Sequence, residues 1–323
     1  MVNDTSAPEF ILLGFPGLQK FRLLLFTTLL IAYLFILLGN GLIILLSNTD
    51  VSLHIPMYFF LSNFSFLEMC YTSVTVPRML EDFFVGSRAL SFRNCITQMY
   101  FFFFFGTTEF FLLATMAYDR YLAICHPLQY PLLMDSRSSA CLALGSWLSG
   151  FLTPFLPIAF ISQLPFNSSN QINHFFCDTG PLIKLSTGNT FLADTMVFLV
   201  SAVVVLLSFL LTLTSYVLIV STICHIPSAS GRQKAFSTCS SHLAVVTIFY
   251  GTVIFMYICP HSGQTSDMDK VVSVVYAVVT PMLNPIIYTL RNRDVKRALE
   301  KVISQVKNNH LRLKRKICLP VLS

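Results

Sequence analysis

Long apolar blocks separated by short polar stretches dominate this chain. Seven blocks, at about 23–47, 57–79, 97–122, 140–161, 192–223, 237–259 and 271–290, each approach the roughly 20 residues that a helix needs to cross a bilayer. Glu68 interrupts the second block and Glu109 the third, while the fifth is long enough to tilt or to emerge from the membrane. The pattern predicts an all-α membrane protein, a bundle of seven transmembrane helices. After Pro285 the character changes. In "RNRDVKRALEKVISQVK", Val295, Leu299, Val302, Ile303 and Val306 share one helical face with Lys and Arg elsewhere. That pattern reads as a short amphipathic helix on the membrane surface, with a plain solvated helix as the alternative.

Composition agrees with a membrane chain. It is 54% hydrophobic and only 11% charged, against about 25% charged in a soluble domain. Seven spans put the termini on opposite sides. With the N-terminus outside, the inner segments hold about twice the Lys and Arg of the outer ones, most of the excess in the tail. Three regions follow: an extracellular 1–22, the membrane domain 23–290 and a cytoplasmic tail 291–323. The net charge of +6 then faces anionic lipid and implies no nucleic acid. Sequons at Asn3 and Asn167 fall outside, whereas Asn63 matches the pattern inside the second span and is discarded. Residues 1–20 lack a basic region followed by an apolar run, so the first span is expected to act as its own insertion signal. The nine cysteines show no zinc spacing. Cys95 and Cys177 both fall in the oxidising compartment, as a bridge or as two free thiols; Cys125, Cys224 and Cys239 lie inside and are expected to stay reduced.

On a helix turning about 100° per residue, Glu109 shares a face with Phe102, Phe105, Gly106, Leu113, Met116 and Arg120, the last about 16 Å further along. Ionisable groups in the membrane face the bundle interior or a cavity, which makes this the inward stripe. Glu68 could meet Glu109 there, the two sharing a proton or holding a cation, or each could be a neutral acid bonded to Ser and Asn neighbours. Asn40, Asn284, Pro285, the Asp119-Arg120-Tyr121 run, Tyr216 and Tyr288 gather toward the inner half. Such a network suits a switch better than a pore.

Four stretches carry a family resemblance: "LHIPMYFFLSNFSFLEMCYTS" (53–73), "MAYDRYLAICHPLQY" (116–130), "KAFSTCSSHL" (234–243) and "PMLNPIIYTLRN" (281–292). In this order they resemble the odorant receptors of the class II, tetrapod type, a branch of the rhodopsin-like G-protein-coupled receptors. The resemblance covers about residues 8–300. It implies a multi-pass plasma-membrane receptor that binds a small volatile odorant and activates a stimulatory, olfactory-type G protein to raise cyclic AMP. It also implies roles. Arg120 is the switch arginine, Asp119 its restraint, with Tyr121 beside them; Tyr216 and Tyr288 support the open inner cleft. Glu68 and Glu109 match an acidic pair associated with a sodium ion or a proton, the one ion implied, since no cofactor is. Cys95 and Cys177 match a bridge. The ligand pocket takes Phe102, Phe105 and Gly106, with Ser201, Val204, Tyr250, Val253, Ile254, Tyr257 and Tyr276 from the later helices.

Two departures stand out. "FYGT" at 249–252 replaces the usual proline and tryptophan of the sixth helix, as is common among odorant receptors, leaving Tyr250 as a candidate pocket floor. Asn167 and Thr187 occupy positions where such receptors commonly carry two further cysteines, which implies that a second bridge is lost. A transporter or channel would also place carboxylates in the membrane, but usually shows repeated halves and broken helices. An intramembrane enzyme needs a nucleophile–base or metal constellation, and His242 has no evident partner for one.

Overall fold

The computed structural model describes residues 9–86, 89–166, 171–258, 267–291, 294–304 and 307. Seven long helices run α1 (Arg22–Thr49), α2 (Pro56–Val85), α3 (Phe92–Cys125), α4 (Ser136–Leu152, continued by Phe155–Ser162), α5 (Phe191–His225), α6 (Ala229–Ile258) and α7. The last is built from Asp267–Val274, a π-helical turn Val275–Val279 and Thr280–Arg291. Among the described residues, five of these helices are long and apolar enough to cross a membrane, six when α6 is counted across its bend. The exception, α2, carries Glu68, Arg78, Glu81 and Asp82 along its length.

Helix boundaries follow local chemistry more than hydrophobicity. α2 continues past the apolar limit at residue 79 because Arg78 pairs with Glu81 at 3.1 Å and Asp82 at 3.2 Å, one turn along the same face. Gly86, at φ +98°, then ends it in a backbone conformation other residues rarely adopt. Ser91 caps α3 by accepting from the Asn94 N–H, and Asp135 caps α4 by accepting from the Ser138 N–H. The fourth predicted block is interrupted. The Thr153 hydroxyl donates to the Ser149 carbonyl and Pro154 has no N–H, so the helix restarts at Phe155. α6 bends by 51° between Ala229–Ser237 and Cys239–Ile254. There the Ser240 hydroxyl and Cys239 thiol bond to carbonyls of the preceding turn, which loosens the helical ladder.

α3 runs through the middle of the bundle and packs on α2, α4, α5 and α6. Its approach to α4 is close. A Cβ at Gly150 would lie 1.9 Å from the Thr108 hydroxyl and 2.8 Å from the Phe104 carbonyl oxygen. Gly39 likewise lets α1 meet Pro285 of α7.

An outer cap was not visible in the hydrophobic pattern. Strands β1 (Glu9–Leu12), β2 (Ala89–Ser91) and β3 (Gln171–Ile172) form a small sheet in the order β2-β1-β3, β1 antiparallel to β2 and parallel to β3. Phe10 and Leu12 are fully buried beneath it, and a disulfide joins Cys95 at the start of α3 to Cys177 in the long outer loop. Lys270 is also drawn in: only 1% exposed, its ammonium donates to the Gly14 carbonyl at 2.9 Å and the Asn173 side-chain oxygen at 2.6 Å. It therefore ties the N-terminal segment and the outer loop to α7. Asn3 and Asn167 lie outside the described residues. Thr187 does not: its N–H and the Ser186 hydroxyl both bond to the Pro165 carbonyl, at 3.1 Å each, pinning the loop base through backbone where a second bridge is missing.

Residues 294–304 form the tail helix, α8. Of its expected apolar face, Val295 is buried against the bundle and Leu299 and Val302 pack beside it, joined by Ala298, whereas Ile303 is 57% exposed. Polar contacts dock it. The Tyr58 hydroxyl donates to Asp294 at 3.2 Å and Lys301 reaches Asp50 at 3.0 Å. The face divides between bundle and surroundings, and Val306 is outside the described residues.

Replacing Lys270 with Met keeps the length of the side chain and removes its bonds to two part-buried acceptors, each net bond worth about 0.5–1.5 kcal/mol. Lys270→Met is expected to speed hydrogen exchange in residues 9–15 and 171–176 while leaving the core of α3 unchanged. Equal exchange in both segments would show that the cap is held elsewhere.

Candidate ligand cavity and inner switch

Below the outer cap lies a cavity of about 550 Å3, within the range that small-ligand sites occupy. α3 contributes Phe102, Phe103, Gly106, Thr107, Glu109 and Phe110; α5 contributes Val197, Val200, Ser201, Val204 and Val205. Phe249 and Val253 of α6, Ser273 and Tyr276 of α7, and Tyr71 of α2 complete the lower wall. The broken α4 supplies Thr153, Pro154, Pro157 and Ile158, and the outer loop roofs the space with His174 and Asp178–Pro181. Phe176 stacks on Phe102 with ring centroids 4.4 Å apart and links roof to wall.

The lining centres on a slightly different face of α3 from the predicted stripe. Phe103, Thr107 and Phe110, spaced i, i+4 and i+7, turn inward with Phe102 and Gly106. Phe105 lies about 120° from the middle of that face and packs outward on Phe101, Phe104 and Trp147, so it does not line the cavity. Tyr250 is also displaced. Its ring is enclosed by Phe110, Phe209 and Phe249, and Phe249 reaches the cavity instead. Ile254 is 40% exposed and points away from the bundle. The Tyr257 side chain lies outside the described residues.

His174 in the roof is buried, stacked on Phe175, and its Nδ1 accepts from the Phe176 N–H at 3.4 Å. That bond requires a neutral ring. Burial, and next the nearby Lys270 charge, lower its pKa to about 3.

The two acids have different settings. Glu68 is fully buried and accepts from the Asn284 amide at 2.5 Å, joining α2 to α7. Glu109 is 4% exposed and faces the cavity. No hydrogen bond joins them, and no cluster of three or more metal-ligating side chains occurs among the described residues. Asn40 donates to the Ile36 carbonyl at 3.0 Å and the Pro281 carbonyl at 3.5 Å.

At the inner end of α3 the Arg120 guanidinium clasps Asp119 through Nη2 and, at 3.1 Å, through Nε. Asp119 also accepts from the Tyr130 hydroxyl at 2.8 Å, a partner that sequence reading did not pick out. Arg120, Met116, His242 and Tyr288 enclose a space of about 20 Å3, enough for one water. The Tyr216 hydroxyl sits 2.7 Å from His242 Nδ1, giving that histidine the partner it lacked in sequence. Tyr121 is not part of this group, because its hydroxyl meets His126 Nε2 at 2.9 Å near the surface.

The olfactory receptor family model matches residues 29–306. The chain belongs to the olfactory receptor family. It is 52% identical to "Olfactory receptor 6F1" of Homo sapiens over 93% of this chain and 97% of that one, and 50% identical to "Olfactory receptor 11L1" of Homo sapiens over 93% and 94%. "Olfactory receptor 6B9" of Mus musculus is 49% identical over 94% and 96%. The fold is that of squid rhodopsin, at a TM-score of 0.71 and 18% identity, covering 89% of this chain and 82% of that structure. As an olfactory receptor with the rhodopsin-like seven-helix fold, the chain is a multi-pass plasma-membrane receptor and not an enzyme.

In this olfactory receptor the roof should be sensitive to acid. Burial, and next the Lys270 charge, hold His174 down at about 3 beneath the closed roof, against its ordinary value near 6.5 were the loop to open. The open loop therefore binds the extra proton between those values, and closure loses stability as pH falls from about 6.5 toward 3. Protection of residues 172–178 against hydrogen exchange, corrected for intrinsic rates, is expected to drop between pH 7 and pH 5, and His174→Gln to flatten the dependence. A pH-independent protection in the parent chain would contradict it.

Proposed function

We propose that this olfactory receptor binds a small, volatile, largely apolar odorant in the outer cavity and activates a stimulatory G protein at its inner face, raising cyclic AMP. The observation that carries the reading is the division of α3: its outer half lines a 550 Å3 cavity and its inner end holds the Asp119–Arg120 pair. One rigid helix thus spans both sites. Aromatic and aliphatic walls suit an apolar ligand, and Ser201, Thr107 and Ser273 offer hydroxyls for orienting it.

Inner activation requires Arg120 to leave Asp119, since a guanidinium occupied with its neighbour cannot meet a partner. Tyr288, which lines the same space as Arg120, and Tyr216, bonded to His242 of that space, support it after release. The distribution of Lys and Arg orients the N-terminus outside and the C-terminus in the cytoplasm. Asn3 and Asn167 are then extracellular glycosylation sites.

Asp119→Asn weakens the clasp without changing shape. A restraint worth about 1–3 kcal/mol corresponds to a shift of about 5–150-fold in the switching equilibrium. Basal cyclic AMP in cells expressing Asp119→Asn is expected to rise several-fold (about 5-fold or more). Arg120→Ala is expected to abolish the response at equal surface expression. A normal response from well-expressed Arg120→Ala would contradict the switch assignment.

A further inference from the structure

We propose that His174 is the polar anchor of the outer cavity, a fixed N–H donor in its roof, and that the ligands it selects are small, mainly apolar carbonyl compounds: aldehydes, ketones and esters. This rests on the reading of that cavity as the ligand site and specifies the chemistry it takes.

His174 lines the cavity and is only 2% exposed. Its backbone is held on both sides: the N–H donates to the Ile172 carbonyl at 2.8 Å, and the carbonyl accepts from the Gly14 N–H at 3.1 Å. The ring stacks on Phe175 with centroids 4.6 Å apart and meets Phe176 edge to face at 4.4 Å. Nδ1 accepts from the Phe176 N–H, and a neutral ring with one nitrogen accepting carries its proton on the other. Nε2 is therefore an N–H donor. It has no partner among the described residues, yet it is not one of the unpartnered polar atoms sealed from all open space. With so little of the residue exposed, the space that Nε2 meets is the cavity. A buried donor left without an acceptor is costly, and a ligand oxygen recovers that cost.

The other polar groups of the lining do not fix a ligand in this way. The Tyr276 hydroxyl donates to Ser273 at 3.2 Å, and the Thr153 hydroxyl is spent on the Ser149 carbonyl. Hydroxyls at Thr107 and Ser201 rotate to donate or to accept, so they discriminate little. Lys184 is exposed at the rim. His174 is the group whose direction and role are both set. A carbonyl oxygen answers it with lone pairs and brings no hydrogen that needs a partner. An ammonium brings donors alone and has nothing to offer the N–H. A carboxylate accepts but meets the Asp178 carboxylate in the same roof. Phe110 is about 10 Å further along α3 than Phe103, so an anchored carbonyl leaves room for a medium-length apolar body reaching down past Val204 and Val253.

The test uses the purified full-length receptor and a series of straight-chain methyl ketones of increasing length. Each is compared with the alkene in which CH2 replaces the carbonyl oxygen and with the primary amine of the same skeleton. Half-saturating concentrations are read from the rise in melting temperature, which does not depend on G-protein coupling. At the best length the ketone is expected to bind about fivefold more tightly than the alkene, with the amine weakest. His174→Phe keeps a flat ring without the donor, and is expected to lose about tenfold for the ketone and less than about threefold for the alkene. The infrared carbonyl stretch of the bound ketone gives a second reading: lowered by a hydrogen bond in the parent chain, and returned to its position in apolar solvent in His174→Phe. Should His174→Phe fail to fold, the parent's ranking and its lowered stretch carry the test. The proposal is overturned if no ketone shifts melting, if the alkene or the amine binds as well as the ketone, or if His174→Phe leaves the preference or the stretch unchanged. Val204→Trp, which fills the cavity, separates this proposal from the reading it rests on. Ketone binding lost in Val204→Trp but unchanged in His174→Phe refutes the anchor and keeps the cavity as the ligand site; binding unchanged in both variants refutes the two together.

Discussion

Asp119 takes bonds from two nitrogens of Arg120 and one from Tyr130, and the inner half of the molecule is arranged around that group. The surrounding bundle offers little water, so a buried guanidinium must find its partners in the protein. Breaking a buried pair by removing one member typically costs about 3–5 kcal/mol. Arg120 is therefore held firmly against Asp119 in this structure. The neighbouring space is lined by His242 and Tyr288, whose Nε2 and hydroxyl have no partner among the described residues. Those atoms are poised to receive what the present arrangement does not supply.

The same accounting explains the outer half. Charges there are satisfied one by one: Lys270 by Gly14 and Asn173, Asp178 by the start of its own short helix, Arg78 by Glu81 and Asp82. What remains is a cavity with apolar walls and Glu109 at its depth. α3 joins the two halves, and Gly150, lacking a side chain, leaves room on α4 for Thr108 and the Phe104 carbonyl of α3.

Much of this was legible in the chain. Seven apolar blocks located the helices, and intramembrane charge marked the inward face of α3, since Glu109, Phe102, Gly106 and Arg120 do turn into the bundle. Phe105 was misplaced because a 100° periodicity locates a stripe only to within a residue or two, and five consecutive phenylalanines offer no contrast to refine it. Tyr250 and Ile254 came from the family's pattern and not from the helix itself: here Tyr250 is enclosed by Phe110, Phe209 and Phe249, and Ile254 is 40% exposed, while Val253 beside it does line the cavity. His242 was noticed but unpartnered, because Tyr216 lies 26 residues earlier on another helix. The outer sheet was invisible, its strands being two to four residues long and paired across great separations in sequence.

The central claim is that Asp119, bonded by Tyr130, holds Arg120 at the inner end of α3 beside the space that His242 of α6 also lines, and that freeing Arg120 lets the inner ends of α3 and α6 separate. Spin labels on those two ends, read as a distance distribution in the detergent-solubilised receptor, test it directly. The account predicts one short distance in the parent chain and an added longer population in Asp119→Asn without any ligand. A distribution unchanged by Asp119→Asn, at equal stability, would contradict it.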